Sequence, residues 1–110
     1  MSVDETDKVD FITIEKHSGD VLLGISDHLD WDENEGEHLL LLQEKLNAYL
    51  RFVESGEIYE TAPATKGRSI VILIFGKFPL SDQAEKFVEL AGGAIKDAGV
   101  SLRFKHYPAQ

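Results

Sequence analysis

Six consecutive apolar residues, Ile70-Val71-Ile72-Leu73-Ile74-Phe75, constrain this chain more than any other feature. The run is too short for a buried helix, which needs about 10 residues or more, and far short of the roughly 20 that span a bilayer. Its β-branched side chains favour extended backbone. Side chains alternate between the faces of a strand, so an unbroken apolar run predicts burial on both faces and a central place in a sheet.

The flanking segments supply the rest of the layer. Val9 to Lys16 alternates, with Val9, Phe11 and Thr13 on one side and Asp10, Ile12 and Ile14 on the other. His17-Ser18-Gly19-Asp20 is turn chemistry, and Val21 to Ser26 reads as a second strand, so the chain opens on a β-hairpin. A helix is expected from about Glu35 to Glu54. Capping boxes start it at Asn34/Glu37 or Asp32/Glu35, and Leu39, Leu42, Leu46, Tyr49, Leu50 and Val53 form its apolar stripe. Gly56 caps it. Glu57 to Glu60 reads as a short strand and Thr61 to Arg68 as a loop. Ser81 caps a second helix over Asp82 to Ala98, which contains Gly92-Gly93, and Gly99 closes it. Val100 to Tyr107 alternates again as a half-buried last strand.

The order ββα(β)βαβ predicts an α+β two-layer sandwich. A mostly antiparallel sheet of four to five strands carries two helices on one face, a variant of the ferredoxin-like arrangement. Residues 9–107 form one domain, and residues 1–8 are expected to be frayed or disordered. At 110 residues the chain is the size of one domain.

The formal charge is −9, unevenly spread. Residues 1–60 hold 16 acids against 4 bases, and residues 61–110 hold 4 against 7. An acidic surface repels phosphate backbones, which argues against nucleic acid as a partner. With no cysteine, thiolate chemistry and Cys-based metal sites are excluded and a cytoplasmic location is favoured. The acidic start is unlike a signal peptide, and no apolar run reaches membrane length.

Ile25-Ser26-Asp27-His28-Leu29-Asp30-Trp31, then His38-Leu39, Leu42-Gln43-Glu44-Lys45-Leu46-Asn47 and Glu54-Ser55-Gly56, resemble a family of small bacterial proteins catalogued as a domain of unknown function. The likeness runs from about Val9 to Phe104. It implies a bacterial origin and a single domain, and it assigns no activity.

Two candidate surfaces follow from the residues themselves. The segment 27–38 gathers carboxylates and imidazoles, the ligands of divalent cations, at a strand end. His28, Asp30, Asp32 and His38 are the expected metal ligands or acid–base groups, although the spacing matches neither an EF-hand nor His-Glu-x-x-His. Acids at a helix start also favour the helix dipole without any ligand. Ser26-Asp27-His28 lacks the elbow of a nucleophilic triad, and His17 and His106 are bystanders. Lys66-Gly67-Arg68 has the charge to hold an anion but opens no helix. Leu41, Ala48 and Phe52 lie off the main stripe of the first helix, which suggests an interaction surface. The leading expectation is a non-enzymatic binding or protein-interaction module, with self-association its simplest form and no cofactor implied. The alternative is a metal-dependent or acid–base enzyme built on the 27–38 loop.

Overall fold

A computed structural model describes residues 3–6 and 8–108. The elements are β1 (Phe11–Ile14), β2 (Val21–Asp27), α1 (Glu35–Glu54), α2 (Glu57–Thr61), a 3-10 turn (Pro63–Thr65), β3 (Ile70–Gly76), α3 (Asp82–Lys96) and β4 (Val100–His106). The four strands form one sheet in the order β1-β2-β3-β4. β1 pairs antiparallel with β2, while β2, β3 and β4 run parallel.

The α+β class and the interior position of Ile70–Phe75 therefore hold, but the sheet is mixed rather than mostly antiparallel. The segment expected as a short strand at 57–60 is the helix α2. With no strand there to bring the chain back, β2 reaches β3 through α1 and α2, a crossover that leaves the two strands parallel. Helix α3 repeats the crossover between β3 and β4, so the ferredoxin-like expectation gives way to a hairpin followed by two such units.

One side of the sheet carries the core. Val21, Leu23 and Ile25 of β2, Ile70, Ile72 and Ile74 of β3, and Val100 of β4 pack with Leu42, Leu46 and Tyr49 of α1, Ile58 of α2, and Ala84 and Ile95 of α3. Gly19, Gly56 and Gly99 take positive φ where turns and helix ends need it. Ser81 caps α3, its hydroxyl accepting the Ala84 N–H at 3.1 Å. No capping box forms at α1. Asn34 is left-handed, with φ 55° and no side-chain cap bond.

The alternating residues Phe11, Leu22, Leu73 and Phe75 point to the other side and are not part of that core. Among the described residues no helix covers them, so the apolar run is central without being helix-covered on both faces. Phe11 instead shields its cross-strand neighbour Gly24. A Cβ on that glycine would stand 1.9 Å from the ring, so only glycine lets the ring lie flat there.

The start of the chain packs rather than frays where it is described. Val3 is fully buried and its N–H donates to the Ser26 carbonyl at 2.9 Å. Residues 1, 2 and 7 of that expected frayed stretch lie outside the described residues. No helix among the described residues is long and apolar enough to cross a membrane.

Candidate functional site

Residues 27–38 leave β2 at the end of the parallel strands where open α/β sheets usually place ligands. Asp27 continues the inward alternation of Val21, Leu23 and Ile25 and is buried. Burying a carboxylate requires a partner, and α1 supplies it. His38 sits on the inward stripe of α1 and is also buried. Its Nε2 lies 2.6 and 2.8 Å from the two Asp27 carboxylate oxygens, and its Nδ1 lies 2.9 Å from the Asp30 carbonyl. A carbonyl can only accept, so Nδ1 donates and Nε2 is the nitrogen that shares a proton with Asp27. Trp31 stacks on the imidazole at a centroid distance of 3.5 Å and an angle of 13°. The Leu29 N–H also donates to Asp27.

This constellation is a clasp. Both ring nitrogens are engaged in hydrogen bonds and Trp31 stacks on the ring. It also accounts for the left-handed turn at Asn34. The loop must bring the Asp30 carbonyl and the first turn of α1 to opposite edges of one ring, and a single positive φ allows this at a cost of about 1–2 kcal/mol.

The other expected ligands are not gathered here. His28, Asp30 and Asp32 are exposed, while His38 faces inward. Among the described residues no group of three His, Asp or Glu side chains converges in a way that could hold a metal ion. A groove of about 350 Å³ reaches the clasp, lined by Asp4, Asp30, Glu33, Glu37 and His38. Ser26, Asp27 and His28 also diverge. The Ser26 N–H donates to Asp10, Asp27 holds His38, and His28 faces solvent. Arg68 is used structurally, donating to Gly19 at 3.0 Å and to Ala64 at 2.9 Å.

A second buried polar cluster holds the middle of α1. Lys45 is fully buried and donates to the Glu5 carbonyl at 2.6 Å, the Lys8 carbonyl at 2.5 Å and Asp10 Oδ1 at 2.8 Å. The Tyr49 hydroxyl donates to the Gly24 carbonyl at 2.6 Å and accepts the Asp10 N–H at 2.7 Å, bridging β1 and β2 where their ladder ends. Burial pushes the Tyr49 phenol up, well beyond the usual tyrosine range. Among the described residues no buried side-chain nitrogen or oxygen lacks a partner. The spacing of the pattern contained both clusters. His38, Leu42, Lys45 and Tyr49 share one helical stripe, and Asp10 shares the alternation of Ile12 and Ile14.

The expected interaction strip on α1 is partly covered. Leu41, Ala48 and Phe52 are half-buried, and Leu41 and Phe52 pack against the core. Leu40 is the open apolar residue of that helix, at 54% exposure.

The uncovered side of the sheet has a different character. Its strand residues are Phe11 and Thr13, then Leu22, Gly24 and Ser26, then Val71, Leu73 and Phe75, then Ser101, Arg103 and Lys105. None is acidic, in a chain with 20 acidic residues. Phe11 is 39% and Tyr107 45% exposed. Phe75 lies between them, 5.5 Å from the Phe11 ring and edge-on to Tyr107 at 6.0 Å. Arg103 and Lys105 stand exposed along one margin. The unbroken apolar run of β3 hides this face in the sequence, because its alternate positions look the same whether or not a helix covers them.

The model of a family described as Family of unknown function (DUF6572) matches residues 1–108, and the chain belongs to that family. No curated protein and no solved structure matches the chain.

Proposed function

We propose that this member of the family is a binding module that engages a protein partner through the uncovered side of its sheet, and that it is not a catalyst. One observation carries the reading: the strand positions on that side bear apolar, aromatic, neutral polar and cationic side chains and no carboxylate, on a chain of charge −9. Parallel strands are nearly always covered on both faces, and here the second layer is absent among the described residues. Exposed aromatic residues grouped on one face, here Phe11 and Tyr107 on either side of Phe75, are a mark of interaction surfaces. The polar groups that could have served catalysis are consumed in internal bonds, Asp27 with His38 and Lys45 with Asp10.

The test is quantitative co-purification from the cells that encode the chain. Wild type is compared with Leu73→Thr/Tyr107→Ser and with Asp32→Asn/Glu33→Gln on the acidic loop. Threonine keeps the strand propensity at position 73 while removing apolar surface. Proteins lost with the sheet variant and retained with the loop variant support the reading. An identical set with both variants, or losses confined to the loop variant, would overturn it.

A further inference from the structure

The uncovered face also constrains the chemistry of its occupant. Building on the reading above, we infer that it receives one amphipathic α-helix of a partner protein, whose carboxylates lie over β4. Three observations converge on that occupant.

The first is charge. Arg103 and Lys105 project from β4 on the uncovered side, next to the apolar side chains Leu73 and Phe75 of β3. Their nearest strand neighbours on that face are neutral, so a complementary anion would come from outside. A second copy stacked with β4 over β4 would oppose like charges.

The second is size. Four strands spaced about 4.8 Å apart and seven residues rising about 3.3 Å each give a face on the order of 400 Å². Two copies stacked through it would bury roughly 800 Å² in total, short of the roughly 1,200 Å² of stable assemblies, and a helix seated there buries no more, so its complex is of the transient class. A helix about 10 Å across and 15 residues long matches the length of the strands.

The third is the nature of the anion. With a net charge of −9, the chain as a whole repels anions at long range, and Arg103 and Lys105 form only a small cationic margin. A polyphosphate strand extending past the margin meets that repulsion, whereas carboxylates confined to one flank of a helix do not. The recognition is then helix-on-sheet: apolar side chains at i, i+3, i+4 and i+7 seat on Leu22, Leu73 and Tyr107, and Asp or Glu beside that stripe pairs with Arg103 and Lys105.

A library of displayed 16-residue helix-forming peptides, selected on the full chain in low salt, tests this. Enriched peptides are titrated against wild type, Leu73→Thr/Tyr107→Ser and Arg103→Glu/Lys105→Glu, after thermal melts show that each variant is folded. The expected winners carry an apolar stripe flanked by Asp or Glu. They lose at least tenfold in affinity with the apolar variant. With the charge variant they lose severalfold, and their salt dependence disappears. Winners without carboxylates, or no enrichment at all, overturn the acidic-helix inference. Two further arms then decide whether the face itself survives, namely a 15-residue oligouridylate titration and the solution mass as a function of concentration. Binding or self-association that the same two variants abolish replaces the occupant and keeps the face. Peptides, oligouridylate and self-association that are all indifferent to both variants overturn the face as well.

Discussion

The two sides of this one sheet solve opposite problems. The helix-covered side buries charge and pairs all of it. Asp27 meets His38 at one end of α1, and Lys45 meets Asp10 at its middle, with Leu23, Leu42 and Leu46 packed in the same core. The uncovered side buries no charge, and its two cations stay in water at the margin. Polar residues on the first side act as fasteners that fix where α1 and the N-terminal segment sit. On the second side Arg103 and Lys105 stand exposed at the margin. The same residue types thus mean structure on one face and recognition on the other, and the difference is set by whether a helix lies above them.

The comparison breaks most sharply at the clasp. Asp27→Ala leaves the His38 ring buried without its carboxylate and is expected to lower the unfolding free energy by about 3–5 kcal/mol, read from urea titration. His38→Ala should cost a similar amount, and the double variant clearly less than the two together. A loss under about 1 kcal/mol for Asp27→Ala would mean that the clasp is not a fastener. Tyr49→Phe removes the hydroxyl that bridges the Asp10 N–H and the Gly24 carbonyl. Its expected cost at pH 7 is about 1–3 kcal/mol. The same hydroxyl gives the covered side an alkaline limit. Its proton is held more tightly in the folded chain than in the unfolded one, so its contribution is complete below the ordinary phenol value near 10 and declines as pH rises beyond it. Wild type should therefore lose stability between pH 10 and 11 more steeply than Tyr49→Phe.

Much of the covered side was legible in the sequence, and little of the other. Ile70–Phe75 declared its interior position through composition alone, and the helix over 35–54 declared itself through its stripe. The direction of the strands was not legible. Ile58 and Tyr59 sit in a segment of five residues, too short to show either period, and whether 57–61 is strand or helix decides whether the chain returns antiparallel or crosses over. The clasp was half-visible. The acid-rich loop drew attention to His28, Asp30 and Asp32, which solvent claims. The working pair lay at Asp27 and His38, marked only by their phase with the apolar residues around them. The uncovered face was hidden because an apolar residue under a helix and one awaiting a partner look the same in a sequence.

Two smaller effects sharpen the contrast. Phe11→Ser strips the ring from Gly24 and exposes that strand pair. Because the ring is already 39% exposed, the expected loss is about 1 kcal/mol, well below that of the Asp27–His38 clasp. A loss of 3 kcal/mol or more would make the uncovered side a second core. The smallest effect is the most diagnostic. Arg103 and Lys105 take no part in the ion pairs of Lys8 with Glu5, His38 with Asp27 and Lys45 with Asp10. Exposed charges without such a role change stability by about 0.5 kcal/mol or less when substituted. Arg103→Glu/Lys105→Glu should therefore melt like wild type. A clear fall in melting temperature would mean that these cations fasten the chain to itself, and the two sides of the sheet would no longer differ in kind.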